Sequence, residues 1–213
     1  SKVGSGITPK GGAESYEREG IPLLRSQNVH FDGLRMEDVV FISEDTHRVM
    51  SNSYVAAGDV LLNITGASIG RSCSIPQGFP EANVNQHVCI IRPENVLLTE
   101  YLHFALCSRA GQAQIDLDQT GSGREGLTFA AIRDFVFPLP GPDEQQQIAA
   151  FLDWKTGQID GLIGKKKELL EKLKEKRLAV ITQAVTRGLN PAAPLKDSGI
   201  PWLGQVPEHW EVR

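Results

Sequence analysis

Between Asp143 and Arg187, the residues Ile148, Leu152, Lys155, Ile159, Leu162, Lys166, Leu169, Leu173, Lys176 and Val180 follow one another at alternating gaps of four and three. Apolar side chains fill most of these positions, and Phe151, Ile163, Leu170 and Ile181 widen the stripe. This is an amphipathic helix whose seam repeats as a heptad, the pattern that winds helices into coiled coils. At about 1.5 Å of rise per residue it is roughly 67 Å long, more than the diameter of a small domain. Such a rod cannot cover its stripe against a body smaller than itself. No second helix of that length occurs in the sequence, so the seam calls for a partner chain or a missing second half.

Composition narrows the rest. A formal net charge of -4 argues against a strongly basic nucleic-acid binder, but the average hides an asymmetry. Acids outnumber bases up to Pro142, whereas Lys165, Lys166, Lys167, Lys172, Lys174, Lys176 and Arg177 outnumber Glu168, Glu171 and Glu175. That run reads first as a solvated helix face with pairs such as Glu168–Lys172, and only second as a phosphate-facing stripe. No run of about 18 apolar residues predicts a membrane span, and Ser1-Lys2-Val3-Gly4 has no signal-peptide pattern. Cys73, Cys89 and Cys107 are odd in number, far apart and without a CxxC pair. They read as reduced, partly buried thiols of a cytoplasmic protein, with no metal and no cofactor expected.

Along the chain, Ser1 to Gly12 reads as a small, polar loop. Ile21 to Arg25, Val60 to Ile64, Arg71 to Ile75 and Val88 to Ile91 read as strands, with turns at Asp32-Gly33 and Gly58-Asp59. Thr99-Glu100 opens an expected helix running to Gly111. Phe135 to Pro140 reads as a further strand stopped by prolines, and Pro140-Gly141-Pro142 is the clearest boundary. Gly157, Gly161 and Gly164 lie inside the long helix, off its seam, although glycine there costs about 0.5–1 kcal/mol against alanine. They mark either a face that a partner helix approaches closely or a local irregularity or end of the helix. Arg187-Gly188 should stop that helix. The tail beyond carries Trp202 and Trp210, which need something to pack on.

Gly121 to Gly126 matches GxGxxG, but the segment before it looks helical and polar, so a dinucleotide site is not indicated. A glycine loop beside Arg124 that lets phosphate approach fits better. No Ser–His–Asp set, metal-spaced histidine cluster or P-loop is present, and nothing recommends an enzyme. Asn83, Asn85, Gln86 and His87 form one polar cluster and Arg25, Gln27, Asn28 and His30 another. Amides and imidazoles read base edges, yet any one of these reads first as a turn cap or a hydrogen-bonded core group, and it is several such sets on loops of one β-rich body that point to a recognition surface. Two readings therefore stand: a DNA-recognition module, or a coiled-coil adaptor with a β-rich head for another ligand.

A resemblance bears on that choice. Gly58-Asp59-Val60-Leu61-Leu62 through Gly66-Ala67-Ser68-Ile69-Gly70 resembles the specificity subunits of Type I restriction-modification systems. So do Asn85-Gln86-His87-Val88, the junction from Leu139-Pro140 to Glu144-Gln145-Gln146-Gln147-Ile148-Ala149, and Ile159-Asp160-Gly161-Leu162-Ile163. Leu173-Lys174-Glu175-Lys176-Arg177, leading to Ala184-Val185-Thr186-Arg187-Gly188, resembles that family as well. The resemblance implies a non-catalytic DNA-reading subunit in which two recognition domains are spaced by antiparallel helices. Its partners would be double-stranded DNA, DNA adenine methyltransferase subunits and a restriction-translocase subunit, with no membrane involved.

This chain departs from that pattern by carrying one recognition domain and one helix. Its Gly199-Ile200-Pro201-Trp202 to Pro207-Glu208-His209-Trp210 stretch resembles a segment that normally precedes a recognition domain. The expectation is accordingly an α+β half-subunit or fragment. A β-rich target-recognition domain (1–141) precedes one long α-helix (142–188) that forms an antiparallel coiled coil, and a tail (189–213) follows. Two copies would form a homodimer through Ile148, Leu152, Ile159, Leu162, Leu169, Leu173 and Val180, with Trp202 and Trp210 packed on the partner's recognition domain. The candidate DNA contacts are Thr8, Lys10, Arg25, Gln27, Asn28, His30, Arg71, Asn85, Gln86, His87 and Arg124.

Overall fold

Val60-Leu61-Leu62 and Val88-Cys89-Ile90-Ile91 carry apolar residues at consecutive positions, the pattern of strands covered on both faces. The computed structural model describes residues 2–212 except 95 and 123–125, and at 120–122 the backbone alone. The strands before the first long connection are β1 (Lys2–Ser5), β2 (Ile21–Leu24), β3 (Val29–His30), β4 (Gly33–Leu34) and β5 (Val40–Ile42). After α1 (Glu44–Val49) come β6 (Val60–Asn63), β7 (Ser72–Ser74), β8 (Asn83–Val84) and β9 (Val88–Arg92). Then follow α2 (Thr99–Cys107), α3 (Arg109–Ser122), α4 (Phe129–Arg133), the long α5 (Pro142–Arg187), β10 (Leu195–Asp197) and β11 (Gln205–Pro207). The chain divides into two compact units, Ser1–Asp153 and Trp154–Arg213. This is the mixed α+β architecture expected, with a β-rich N-terminal region and one long helix.

In the first unit an antiparallel sheet of order β1-β9-β6-β7 forms the centre. Val60, Leu62, Cys89 and Ile91 point to one face, where Leu102 and Leu106 of α2, Ile115 of α3 and Ile132 of α4 cover them. Leu61, Val88 and Ile90 point to the other, against Leu24, Val29 and Val84. The second face is closed by a three-stranded sheet, β5-β2-β8, in which β2 and β8 run parallel. With both faces of β6 apolar, hydrophobicity alone leaves its register weakly specified. A polar pin supplies it. Asp59, fully buried, accepts from Arg92 Nε (2.6 Å) and Nη2 (2.8 Å) and from the Ala56 N–H (2.7 Å). Gly58 makes the turn into this pin at φ 85°, a conformation in which side chains are strained.

Three expectations are corrected. The N-terminal stretch read as a loop contains β1, because the edge of β9 supplies a ladder that small polar residues can join. Gly6 follows it, and a Cβ there would lie 1.6 Å from the Val84 carbonyl oxygen. The segment from Phe135 to Pro140 is not a strand. Side chains occupy its backbone instead: Val136 N–H donates to Gln114 Oε1 (2.7 Å), and Tyr101 O–H donates to the Pro138 carbonyl (2.8 Å). The helix expected to run to Gly111 ends at Cys107, where Ser108 turns extended and its Oγ accepts from the Gly111 N–H (3.1 Å) to start α3.

Between β7 and α2, His103 Nδ1 lies 3.2 Å from Ser72 Oγ, with the Cys107 thiol beside it. Burial holds its pKa below the usual 6.5, against the opposing pull of the Phe31 backbone, Asp153 and Glu100. The unfolded chain therefore takes up this proton before the folded one does. Stability is full above about pH 6.5 and is lost as pH falls below it. The melting temperature should drop between about pH 7.5 and 5.5, and drop less in His103→Gln, which cannot charge. Equal drops in both proteins would remove His103 from the account.

In the second unit α5 continues unbroken through Gly157, Gly161 and Gly164, so the reading of these glycines as a helix end does not hold. Lys172–Glu168 (2.5 Å) and Lys174–Glu171 (2.7 Å) pair along an exposed face. Beyond the helix, β10 and β11 form a hairpin, and the Trp210 ring approaches to 3.4 Å of where a Cβ of Gly188 would stand. Trp210 thus packs on the end of its own helix, where a partner's domain had been expected, while Trp202 stays 84% exposed. Among the described residues, no helix is long and apolar enough to cross a membrane.

Candidate nucleic-acid interface

Of the polar residues singled out in the sequence, Arg25, Gln27, Asn28, Arg71, Asn85, Gln86 and His87 fall on the connections that follow β2, β6 and β8, and one residue joins these loops. Asn63, the last of β6, is fully buried, and its Nδ2 donates to the Ser26 carbonyl (2.8 Å) and to Ser68 Oγ (3.1 Å). Next to it, Ile64 N–H donates to the His87 carbonyl (3.0 Å), and Asn85 N–H donates to the Leu24 carbonyl (3.0 Å). Loops 25–28, 64–71 and 85–87 are therefore tied to one another by hydrogen bonds that are at least partly buried. Sequence reasoning passed over Asn63 and Thr65. The available signal was an amide directly after an apolar strand, where the last inward position has no apolar partner left.

The candidates separate by what their side chains already do. Asn28 is fully buried; its Oδ1 accepts from Arg25 N–H (2.9 Å) and its Nδ2 donates to the Arg35 carbonyl (2.8 Å). Asn85, 7% exposed, accepts from the His87 N–H at 3.1 Å. Both lie buried and brace loops. Arg25 donates to the Asp38 carbonyl (2.9 Å) and lies 5.6 Å over the Tyr16 ring. Gln27 and His30 line a cleft of about 390 Å³ with Arg35, Glu37 and Asp38. There His30 Nε2 donates to the Gln27 carbonyl (3.0 Å), while the two acids oppose an anion.

Thr8 and Lys10 are exposed beyond β1, and Arg71 is half-buried where loop 64–71 re-enters the sheet. Gln86 is exposed and His87 half-buried. Arg124, with the middle of the glycine-rich stretch, lies outside the described residues.

Burial pushes the Cys73 and Cys89 thiols up to about 12 and also raises Cys107, so none is a ready nucleophile or metal ligand. Among the described residues no group of three or more His, Cys, Asp or Glu could hold a metal ion. On α5, Ile148 and Leu152 are half-buried, whereas Ile159, Leu162, Leu169, Leu173 and Val180 are each about half exposed, from 49% to 58%.

Comparison with known proteins gives a consistent result. Residues 4–174 match a family described as the Type I restriction modification DNA specificity domain. The chain is 23% identical over 185 residues to the Type I restriction enzyme StySPI specificity subunit of Salmonella potsdam, covering 85% of this chain and 39% of that protein. It is 24% identical over 182 residues to the EcoBI specificity subunit of Escherichia coli, covering 82% and 38%. The chain thus spans about two fifths of the length of these relatives. Among solved structures, a chain from a study of type I R-M system assembly and conformational transition superposes with a TM-score of 0.69 at 19% identity, covering 88% of this chain and 44% of that one. The HsdS subunit of Thermoanaerobacter tengcongensis gives a TM-score of 0.57 at 20% identity, covering 88% and 43%.

Proposed function

We propose, from the premise that this chain belongs to the family of Type I restriction modification DNA specificity domains, that its first unit reads one half of a bipartite site in duplex DNA. The chain itself does no chemistry in this reading. It sets the target for DNA adenine methyltransferase subunits and for a restriction-translocase subunit, in the cytoplasm where the DNA is. The observation that carries the reading is the family match over residues 4–174. The three tied loops support it by offering a preformed polar surface. Thr8, Lys10, Gln27, His30, Arg71, Gln86 and His87 supply the contacts, with Arg124 among them, and Arg25, Asn28 and Asn85 hold the loops in shape. Two copies, or two halves of a longer chain, pair their α5 seams antiparallel, and Gly157, Gly161 and Gly164 let a methyltransferase helix come close.

The test is salt-dependent binding of duplex DNA. Each phosphate neutralised lowers log K by about 0.9 per decade of salt. The first unit is acidic overall, so few phosphates are engaged and a shallow slope of about -2 to -4 is expected. Specific sequence should then tighten binding over random duplex by about a thousandfold or more. Binding that ignores both salt and sequence would return the chain to the class of adaptors with a non-DNA ligand.

A further inference from the structure

We propose that Arg35 is a specificity-determining residue that reads a guanine base from the cleft beside the β3–β4 hairpin, with Asp32 as the group that aims it. This rests on the reading that the first unit recognises duplex DNA. The hairpin lies at the end of the fold where that reading places the DNA. It follows loop 25–28 directly, and Asn63 ties that loop to loop 64–71. Its tip faces β7 and α2, where Cys73 meets the His30 backbone and His103 meets the Phe31 backbone. Val29 is fully buried, and Leu34, paired with it in register, packs on the same core. The cleft of about 390 Å³ is lined by Arg35 together with Gln27 and His30.

Arg35 stands on fixed backbone. Its N–H donates to the Asn28 carbonyl (2.9 Å), and its carbonyl accepts from Asn28 Nδ2 (2.8 Å). Asn28 is itself fully buried, and its Oδ1 accepts from the Arg25 N–H (2.9 Å). Both main-chain groups of one exposed residue are thereby held by a single buried one.

The side chain is aimed as well. Arg35 Nη2 donates to Asp32 Oδ2 at 3.1 Å, across the hairpin turn. Both side chains stay more than half exposed, at 55% and 56%. An exposed pair of this kind adds little to stability, and its effect here is to orient the guanidinium fork. Every N–H of a guanidinium is a donor, so no flip or tautomer alters what the group offers. The N–H groups that Asp32 does not take have no partner among the described residues. The other arginines at these loops lack one property or the other. Arg25 spends its Nη2 on the Asp38 carbonyl (2.9 Å). Arg71 is half-buried, and its guanidinium has no partner among the described residues to aim it.

The neighbouring acids decide what the fork meets. Glu37 and Asp38 line the same cleft, and Asp32 sits against the guanidinium itself. Carboxylates so placed repel a phosphate, which leaves a neutral base edge as the contact. In the major groove guanine presents two acceptors, O6 and N7, the pair that an arginine fork takes in two bonds. Adenine sets an amino donor beside N7, cytosine offers a donor alone, and thymine an acceptor beside a methyl group. The fork therefore selects guanine over the other three bases.

The test is selection of duplex DNA from a randomised pool by the full chain, by Arg35→Ala and by Asp32→Ala, followed by binding of the selected duplex with 7-deazaguanine at the implicated position. Both substituted side chains are exposed, so the variants should melt with the wild-type chain. The wild-type chain should enrich a motif containing a guanine that Arg35→Ala no longer demands. Discrimination at that position should fall about tenfold to a hundredfold, with the other positions unchanged. Asp32→Ala should relax the same position alone, although it removes a negative charge and leaves Arg35 in place. The 7-deaza substitution should weaken wild-type binding and leave Arg35→Ala unaffected. The slope of log K against log salt should be the same for the wild-type chain and Arg35→Ala, because no phosphate contact is lost. A slope shallower by about 0.9 in Arg35→Ala would assign Arg35 to phosphate and overturn the base contact. If all three proteins enrich the same motif, Arg35 does not read the base while the DNA-recognition reading stands. If the wild-type chain enriches no motif, both fall.

Discussion

Gln145→Ala is expected to lower the melting temperature of the chain by roughly 6–12 °C. Gln145 is fully buried in the first turn of α5. Its Oε1 accepts from the Leu98 N–H (2.9 Å), and its Nε2 donates to the carbonyls of Val96 (2.9 Å) and Pro140 (2.8 Å). One carboxamide thus satisfies three backbone groups from two separate connections. Removing it deprives all three of their partner, at about 1–3 kcal/mol for each that stays dry; with water entering the vacated space and reaching one or two of them, the loss is about 2–4 kcal/mol together. That is a large share of the roughly 5–15 kcal/mol by which a domain is stable. Gln145→Glu keeps an acceptor for Leu98 but loses both donors and places a charge against two carbonyls, so it should fare no better. Gln146→Ala, at an exposed neighbour, should change stability by no more than about 0.5 kcal/mol. A Gln145→Ala protein that melts with Gln146→Ala would show that the clamp carries no weight.

Leu169→Glu with Leu173→Glu is expected to abolish self-association through α5 while leaving the first unit folded. Both side chains are about half exposed in the single chain, at 49% and 53%. Covering the exposed half of each seam leucine gains about 1 kcal/mol, repeated along the helix. A glutamate at these positions would have to be buried unpaired against a partner's leucines, which costs several kcal/mol per site. Sedimentation equilibrium at tens of micromolar should therefore read the mass of two chains for the parent and of one for the variant. The thermal transition of the first unit should be retained. A parent that sediments as a single chain at that concentration would end the pairing of two copies.

What the sequence determined by itself was whatever depends on periodicity and on short-range chemistry. The heptad seam of α5, its stop at Gly188 and the apolar strands β6 and β9 were legible because helical and strand periods are written in the order of residues. The stretches that carried the family resemblance were also legible, though not for what they do. Gly58-Asp59 proves to be the turn and buried pin that set the register of β6, and Gln145 proves to be the clamp at the start of α5.

Only the tertiary structure decided which polar residues are free to act. Asn28, Asn85 and Gln86 are alike as letters, and each is an amide on a loop beside a strand. Burial and partners separate them, and both depend on backbone groups distant in sequence, such as the Leu24 carbonyl that fixes the loop of Asn85. The same holds for β1, whose small residues have little strand preference until the edge of β9 offers a ladder. It holds also for Phe135 to Pro140, whose strand-like residues find side chains in place of a neighbouring strand. A residue's period is a local property, whereas the satisfaction of its hydrogen bonds is settled by whatever the fold brings alongside it.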